Sequence, residues 1–352
     1  MSFNSQLLHW YKNNHRDLPW RNTRDPYLIW ISEIILQQTR VNQGYQYYLR
    51  FIERFPDVKT LANSKEKDVL KLWQGLGYYS RARNIFFAAQ QIMNEYQGVF
   101  PTNYNEIIKL KGIGSYSASA IASIAFKLAY PVIDGNVLRV ISRVYGISTP
   151  VDSSKGKNEV QNILNTLIDK ENPDIFNQAI MELGALVCNP QSPKCECCPL
   201  QTYCFAFENK NMDLFPVKSK KIKLRIRYFY YLIITYSDQT EDFIYLNKRS
   251  KTDIWKNMYD FPLIESNQEI LVNDDFFHQV KKFLGIENYI VKAINGNYKH
   301  QLTHQTIFAC FVNLKISQAL PETNDYFAVP LHKINSHPIP KLIDNYLNNH
   351  PL

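Results

Sequence analysis

The chain has 352 residues, more than one hydrophobic core usually organises, so at least two domains are expected. A hydrophobic content of 45% excludes a mostly disordered chain, and the lack of an apolar stretch long enough for a signal peptide or a membrane span predicts a cytoplasmic protein. The net charge of +8 favours a polyanionic partner, which makes nucleic acid a plausible one.

The chain before its cysteine-rich stretch is predicted to be helical. Apolar residues recur there at intervals of three and four, in segments separated by short breaks that contain Pro, Gly, Asn or Asp. The clearest segments are VLKLWQGL at 69–76, ARNIFFAAQQIMNEY at 82–96, VLRVISRVY at 137–145 and FNQAIMELGALV at 176–187.

The stretch LKGIGSYSASAIASIAF, at 110–126, predicts two helices joined by a tight turn. The first helix is expected to end near Lys111, and the second to begin at Ser115 after Gly112 and Gly114. Glycines permit backbone angles that other residues resist, and they expose N–H groups at the start of the following helix. Such a turn can hold a DNA phosphate without reading sequence, although a plain helix connector is the more common explanation of a G-x-G pattern on its own.

Five of the six cysteines are clustered. Cys188, Cys195, Cys198 and Cys204 follow a C-x6-C-x2-C-x5-C pattern, with Cys197 between two of them. In a reducing compartment such clusters bind metal more often than they form disulfides. The spacing predicts one centre with four thiolates, which is either zinc or a cubane iron–sulfur cluster.

A basic run and then a different pattern follow. VKSKKIKLRIR at 217–227 contains no acidic residue and predicts a solvated linker, with phosphate contact as a secondary role. Beyond it, segments rich in aromatic and β-branched residues predict strands, with a helix at FFHQVKKFLG. The strand-like segments are YFYYLIITYS at 228–237, FIYLNKRS at 243–250 and TIFACFVNLKI at 306–316.

Together, the glycine turn, PVIDGNVLR at 131–139 and the cysteine cluster resemble the endonuclease III-like superfamily of DNA glycosylases. The segments DLPWR at 17–21, DPYLIWISEIILQQTRV at 25–41 and LWQGLGYYSRARN at 72–84 narrow the resemblance to the MutY-type adenine DNA glycosylases. The resemblance implies removal of adenine mispaired with 8-oxoguanine or guanine in double-stranded DNA. It also implies a [4Fe–4S] cluster on Cys188, Cys195, Cys198 and Cys204, and a monomer associated with the nucleoid.

The fold class that this implies is multidomain, α and α+β. An all-helical helix–hairpin–helix glycosylase domain with an iron–sulfur cluster loop is followed by a Nudix-like α+β domain. The expected bounds are 1–216 for the helical domain, 217–227 for the basic linker and 228–352 for the Nudix-like domain. Within the helical domain, we expect a six-helix barrel over about 21–131 and a cluster subdomain formed by 1–20 and 132–216.

Two carboxylates are candidates for the chemistry, because cleavage of an N-glycosidic bond needs an acid for the leaving base and an anion beside the cationic sugar. Glu33 lies among apolar residues in WISEIIL, where desolvation would raise its pKa. Asp134 also fits an ordinary helix N-cap. The resemblance implies that Glu33 protonates adenine at N7, and that Asp134, supported by Asn136, stabilises the sugar.

Tyr116 follows Gly114 by two residues, where endonuclease III-type enzymes that nick the backbone carry lysine. A lysine amine can form a Schiff base with the sugar, but a tyrosine cannot. Lys111 lies before the turn and is a poor substitute. We therefore expect a glycosylase without lyase activity, in which Tyr116 also has a packing role.

The resemblance assigns the remaining contacts by position. The adenine pocket would contain Trp20, Arg21 and Leu36. Contacts to DNA or to 8-oxoguanine would come from Gln38, Thr39, Leu76, Tyr78, Gly112, Gly114, Lys194, Thr303 and His304. The family's Phe-Ser-His loop matches Leu302, Thr303 and His304, so an aromatic ring is lost there. No glutamate-rich Nudix signature is present, so we expect no nucleotide hydrolysis.

Two alternatives remain open from the residues alone. One is a related mismatch glycosylase or an endonuclease III-like glycosylase for oxidised pyrimidines. The other is a non-catalytic iron–sulfur protein that binds damaged DNA, for which Glu33→Gln would leave every activity unchanged.

Overall fold

The computed structural model describes residues 2–219, 224–250, 253–321 and 326–352. It forms two compact units, which comprise Met1–Asn63 with Asn84–Lys221 and Ser64–Arg83 with Ile222–Leu352. Three lysines of the basic run, Lys220, Lys221 and Lys223, lie outside the described residues. The predicted domain bounds at 216 and 228 stay predictions.

The helices of the described chain are α1 (Phe3–Asn14), α2 (Pro26–Leu36), α3 (Val41–Arg54), α4 (Val58–Ala62), α5 (Glu66–Leu72), α6 (Ser80–Glu95), α7 (Tyr104–Ile107), α8 (Ser115–Phe126), α9 (Gly135–Tyr145), α10 (Ser154–Leu167), α11 (Pro173–Leu186), α12 (Phe205–Glu208), α13 (Asp274–Leu284) and α14 (Lys341–Asn349). The predicted helical segments are confirmed, but α5 ends at Leu72 because Gly75 and Gly77, both with positive φ, turn the chain. Within the described ranges, no helix is both long and apolar enough to cross a membrane.

In the first unit, the core is built around α2 and α8. Helix α2 begins after Asp25, whose carboxylate accepts a 2.8 Å hydrogen bond from the N–H of Tyr27, and it packs against α3 and α8. The small residues Ala118 and Ala120 of α8 are fully buried and allow close approach of the two helices. This packing places the polar residues of α2 and α8 beside each other.

The glycine turn differs in one respect from its prediction. Helix α8 begins at Ser115 as predicted, but α7 ends at Ile107 and not near Lys111. The chain tightens because Leu110 bonds back to Ile107 over three residues, which ends the α-helical pattern. Gly112 has φ +78°, and a Cβ there would lie 2.4 Å from Cβ of Asn84, so only glycine fits this turn.

The described residues of the second unit form a seven-stranded sheet, which confirms the predicted strands. Its central strand pairs in parallel with one neighbour and antiparallel with two others, and the buried face of α13 packs against the sheet core through Phe276, Val280 and Leu284. The strands are β1 (Arg225–Ser237), β2 (Asp242–Lys248), β3 (Tyr259–Asp260), β4 (Leu263–Ser266), β5 (Ile290–Gln301), β6 (Gln305–Lys315) and β7 (Phe327–Pro330).

Residues 64–83 belong to this second unit, although the sequence analysis placed them in the helical domain. Their side chains bond to those of the C-terminal residues. The amide of Gln74 donates to the Asp344 carboxylate at 2.8 Å, and the amide of Asn257 donates to Glu66 at 2.8 Å. The bonded residues lie more than 190 positions apart in the sequence. No local sequence pattern therefore predicts that residues 64–83 belong to the second unit.

Candidate active site

A pocket of about 510 Å³ in the first unit brings together the predicted catalytic and adenine-binding residues. This volume lies in the usual range of small-molecule sites. The predicted residues that line it are Glu33, Tyr116, Asp134, Asn136, Trp20, Arg21, Leu36 and Thr39. They come from α2, α8, α9 and the segments next to them.

Glu33 is an acid of this pocket whose pKa is raised. It lies on α2 and is 6% exposed, and the hydroxyl of Tyr116 donates to its Oε2 at 2.5 Å. Burial raises the pKa of Glu33 to about 7; the bond from Tyr116 opposes this rise and the negative charge of Asp134 adds to it. A large fraction of Glu33 therefore holds a proton at neutral pH, as its apolar neighbours predicted.

Asp134 is both an N-cap and a pocket residue. Its Oδ1 accepts a 2.7 Å bond from the N–H of Val137, which confirms the predicted cap of α9, and its Oδ2 accepts a 2.8 Å bond from the amide of Asn136. Burial raises the pKa of Asp134, and these two bonds oppose the rise. The carboxylate is thus held in one orientation at the wall of the pocket.

Asn136 is in turn fixed by Arg139, one turn further along α9. The Arg139 guanidinium donates to Oδ1 of Asn136 at 2.9 Å, to the carbonyl of Gly184 at 2.8 Å and to the carbonyl of Cys188 at 2.7 Å. A Cβ at Gly184 would lie 2.6 Å from Cβ of Asn136, so glycine is needed for this approach of α9 and α11. The bonds join the Asp134 carboxylate to the start of the cysteine stretch.

Trp20 and Leu36 supply apolar wall to the same pocket. The Trp20 ring is 7% exposed and meets the Tyr48 ring edge-on, with centroids 5.1 Å apart. Leu36 is the last residue of α2 and is half-buried. Gln38, two residues later, is exposed and does not line the pocket. Its φ of +55° is uncommon for a residue with a side chain, and such backbone strain is concentrated at functional sites.

A second pocket, of about 540 Å³, lies within the second unit. The hydroxyls of Tyr78 and Thr303 share a 2.8 Å hydrogen bond, and Tyr78 has φ +48° on a turn that also contains Gly77. Leu76 and His304 line this pocket with them. Four of the predicted contacts thus meet here, although more than 220 residues separate the two members of the hydrogen bond.

Gly112, Gly114 and Lys194 are not brought into either pocket. Gly112 and Gly114 are exposed, and a Cβ at Gly114 would meet nothing within 4 Å, so the face of the turn is open. Lys194 is exposed beside the cysteines and lines their cavity.

The four predicted ligand cysteines surround one cavity. Cys188, Cys195, Cys198 and Cys204 are free thiols that line it, whereas Cys197 is exposed and does not. Burial raises the pKa of Cys198 to about 12, and the other cavity thiols add to the rise. Among the described residues, no group of three or more His, Cys, Asp or Glu side chains is arranged to hold a single metal ion.

This cavity presents four cysteine thiols, the number that a [4Fe–4S] cluster takes at one thiolate for each iron. Its other walls are mainly apolar, with residues such as Val140, Leu183 and Leu200. Arg143 is 2% exposed and donates to Sγ of Cys188 at 3.4 Å, and the same guanidinium bonds the carbonyl of Asn189 at 2.8 Å. Such donors suit the negative charge of thiolate ligands.

Comparison with known proteins adds independent evidence. Residues 31–170 match the HhH-GPD superfamily of base excision DNA repair proteins, and residues 230–349 match the NUDIX domain. An adenine DNA glycosylase of Buchnera aphidicola subsp. Acyrthosiphon pisum is 40% identical over 271 residues, which are 77% of this chain and 76% of that protein. The chain belongs to the adenine DNA glycosylase family.

Other adenine DNA glycosylases extend this result. The protein of Buchnera aphidicola subsp. Baizongia pistaciae is 37% identical over 87% of this chain and 84% of its own length. The Mus musculus protein is 43% identical over 59% of this chain and 42% of its own length. The chain is therefore an enzyme that hydrolyses N-glycosyl bonds in base excision repair, and the alternative of a non-catalytic binding protein is wrong.

Solved structures bear out the fold of this adenine DNA glycosylase. A thermostable thymine-DNA glycosylase is 30% identical, with a TM-score of 0.55 over 59% of this chain and 95% of its own. A non-covalent endonuclease III–DNA complex matches with a TM-score of 0.51 at 24% identity, over 58% of this chain and 94% of its own. The predicted endonuclease III-like fold is confirmed.

Glu182 of α11 is a residue of the first pocket that was not predicted from the sequence. Its side chain is 1% exposed, lines the first pocket, and accepts from Arg16 at 2.6 Å and Arg21 at 2.7 Å. Burial alone would raise the pKa of Glu182, but the hydrogen bonds from Arg16 and Arg21 outweigh burial and lower it to about 2. A glutamate inside the apolar pattern of α11 was the available signal, but its partners lie more than 160 residues away.

Proposed function

We propose that this adenine DNA glycosylase removes adenine mispaired with 8-oxoguanine or guanine in double-stranded DNA and leaves the backbone intact. The observation that carries the proposal is the pairing of Glu33 with Tyr116 inside the first pocket. It supplies a carboxyl with a pKa of about 7 beside the carboxylate of Asp134, and the described residues that line this pocket include no amine.

The reaction needs a proton on the leaving base. Glu33 holds that proton at neutral pH because it is buried, and it would deliver it to N7 of adenine as the glycosidic bond lengthens. The Tyr116 hydroxyl fixes the position of Oε2, so the other carboxyl oxygen is left to face the base. Protonation makes adenine a better leaving group.

The sugar that remains carries positive charge, and Asp134 is proposed to stabilise it. Two hydrogen bonds from Val137 and Asn136 hold the carboxylate in place before the charge develops, so little reorganisation is required. Trp20, Arg21 and Leu36 would surround the flipped adenine, and the ion pair with Glu182 fixes the Arg21 guanidinium.

The absence of backbone cleavage rests on the chemistry of the pocket wall. A lyase step needs a neutral amine that forms a Schiff base with the sugar. Among the described residues that line the first pocket there is no lysine, and its cations are the arginines Arg16, Arg21 and Arg40. A guanidinium stays protonated in proteins and does not act as this nucleophile.

The second pocket is proposed to receive the 8-oxoguanine opposite the adenine. Leu76 and the exposed Tyr78 would wedge beside the base, while Thr303 and His304 would offer hydrogen bonds to it. Gln38, Thr39, Gly112 and Gly114 are proposed to contact DNA. Leucine at 302 removes a ring from this recognition loop but leaves its hydroxyl, on Thr303.

A [4Fe–4S] cluster is proposed to be held by Cys188, Cys195, Cys198 and Cys204. Such a cluster would fix the loop between its ligands, and with it Lys194, for contact with DNA phosphates. The apolar cavity and the donors of Arg143 support this assignment.

A panel of duplexes tests the substrate. Single-turnover assays would use adenine opposite 8-oxoguanine, guanine or cytosine, thymine opposite guanine, and an oxidised pyrimidine, with the released base identified by chromatography. We expect adenine alone to be released, fastest opposite 8-oxoguanine. Thymine opposite guanine is included because one structural neighbour is a thymine-DNA glycosylase. Release of thymine or of the oxidised pyrimidine would favour the related glycosylases instead.

A further inference from the structure

An aromatic wall in the second pocket has no counterpart in the predicted contacts. Trp255 and His300 both line the pocket, and their ring centroids lie 5.8 Å apart with the planes at 61°. The Trp255 side chain is 7% exposed, so it shows a small, fixed surface to the pocket. Burial lowers the pKa of His300, which keeps its ring neutral at pH 7.

The backbone that carries Trp255 is strained. Trp255 has φ +62° and Asn257 has φ +64°, in the left-handed region that a bulky residue rarely adopts. Hydrogen bonds close the loop: the N–H of Asn257 donates to the carbonyl of Arg249 at 2.7 Å, and the N–H of Arg249 donates to that of Met258 at 2.9 Å. Strain of this kind persists only where the surroundings impose it.

Buried ion pairs impose it here. The Arg249 guanidinium bonds the carboxylate of Asp260, which is fully buried, at 2.7 Å, and it donates to the carbonyl of Ile254 at 3.0 Å. Arg227, 3% exposed, also bonds Asp253, whose side chain is 35% exposed, at 2.7 Å. The residues on either side of Trp255 are therefore tied to charged groups that cannot leave the core cheaply.

The indole is also braced by its neighbours. The Phe229 ring meets Trp255 edge-on at 6.2 Å, and Arg249 lies 5.8 Å from the centre of the indole. With leucine at 302, the recognition loop itself offers one ring, that of His304. The flat surface on this side of the pocket comes from Trp255 and His300.

We propose that Trp255, backed by His300, is a specificity-determining residue that selects a purine over a pyrimidine as the base opposite the adenine. Only a small part of the indole is exposed, and a bicyclic base extends further into the pocket than a single ring does, so the purine is the base that would reach this surface. Contact between a base and an aromatic side chain stabilises binding without reading hydrogen bonds. The inference rests on the proposed function in one respect, namely that this pocket receives the opposite base.

The test compares three duplexes, with adenine opposite 8-oxoguanine, guanine or cytosine. Single-turnover excision rates, and affinities for the same duplexes with a 2′-fluoro adenosine that resists cleavage, would be measured for the wild type, Trp255→Leu and Trp255→Phe. Phe283→Leu is the matched control, because Phe283 is an aromatic residue of the same unit that does not line the pocket.

Trp255→Leu should lower the purine-to-pyrimidine ratio about tenfold, through weaker binding opposite both purines. Trp255→Phe should recover part of the ratio, and Phe283→Leu should not change it. A misfolded fraction of Trp255→Leu would affect excision on all three duplexes equally. The purine-to-pyrimidine ratio therefore reports the contact between residue 255 and the base even if this variant is less stable. An equal loss on all three duplexes, or no loss, would overturn the inference.

The proposed function fails separately. A wild-type enzyme that excised adenine equally fast opposite 8-oxoguanine and guanine would contradict the preference for 8-oxoguanine. The ratio between guanine and cytosine would still report on Trp255.

Discussion

The hydroxyl of Tyr116 donates a 2.5 Å hydrogen bond to Oε2 of Glu33, from a helix 83 residues further along the chain. Two effects act on Glu33 in opposite directions. Burial raises its pKa, and the bond from Tyr116 lowers it, so that the net value is about 7. Both the protonated and the ionised form of Glu33 are therefore populated at neutral pH.

Excision should fall as pH rises through 7. Glu33 acts as an acid, so its active form is the protonated one, which predominates below its pKa of about 7. We expect the single-turnover rate to fall about tenfold for each pH unit well above 7, and Glu33→Gln to lower it by about 10²- to 10⁴-fold. Rates measured on a duplex with adenine opposite 8-oxoguanine provide the check. A flat pH profile would contradict the assignment of Glu33.

Substitution of Tyr116 separates its two proposed roles. Tyr116→Phe removes the hydrogen bond that lowers the pKa of Glu33, so the pH at which excision falls should move upward. Tyr116→Lys places an amine next to the sugar and should yield an adduct trapped by borohydride. If Tyr116→Phe leaves the pH profile unmoved, the hydroxyl does not tune Glu33.

Loss of Glu182 should destabilise the helical unit at neutral pH. Its folded pKa of about 2 lies below the usual 4.5, so it contributes stability that is present above pH 4.5 and is lost as pH falls towards 2. That shift corresponds to about 3 kcal/mol. Urea unfolding of the wild type and Glu182→Gln should differ by an amount of this order at pH 7, and by less than half of it near pH 3. An equal difference at both pH values would show that the ion pair is not its source.

Thr303 should control the preference for 8-oxoguanine over guanine. Thr303→Val keeps the shape of the side chain but removes its hydroxyl, and we expect the ratio of excision rates to fall about threefold to tenfold. Thr303→Ser is the matched control, since it keeps the hydroxyl and should keep most of the ratio. Equal behaviour of the two variants would mean that the hydroxyl does not contact the lesion.

Iron content should distinguish the ligand cysteines from their neighbour. Purified wild type is expected to contain about four irons per chain. Cys198→Ser removes a thiol that lines the cavity, so iron and DNA affinity should both fall; Cys197→Ser should change neither, because Cys197 is exposed and outside the cavity. Zinc in place of iron, or iron loss in Cys197→Ser, would refute the proposed cluster and ligand set.

Much of the architecture could be predicted because its signals are local. The apolar run around Glu33 predicted both a buried helix and a raised pKa, and the cap at Asp134 was visible from the residues that follow it. The strands of the second unit were recognisable from their β-branched and aromatic content. The end of α7 was not, since a series of three-residue bonds before Gly112 ends the helix without a breaking residue.

The contacts of the site that could not be predicted are those between residues far apart in the sequence. Glu182 reads as one polar residue on an apolar helix, and only the fold brings Arg16 and Arg21 to it. Arg139 fits the helical pattern of α9, but its bonds to Asn136 and Cys188 depend on the approach permitted by glycine at 184. No single-sequence pattern records such contacts.

The most direct measurement is a single-turnover assay of the wild-type enzyme on duplexes with adenine opposite 8-oxoguanine. Half of each sample is treated with hot alkali, and a parallel sample contains borohydride. Release of adenine, with strand breaks only after alkali and no trapped adduct, is the result we predict. Breaks without alkali together with an adduct, or no release of adenine from this duplex, would contradict the proposed reaction.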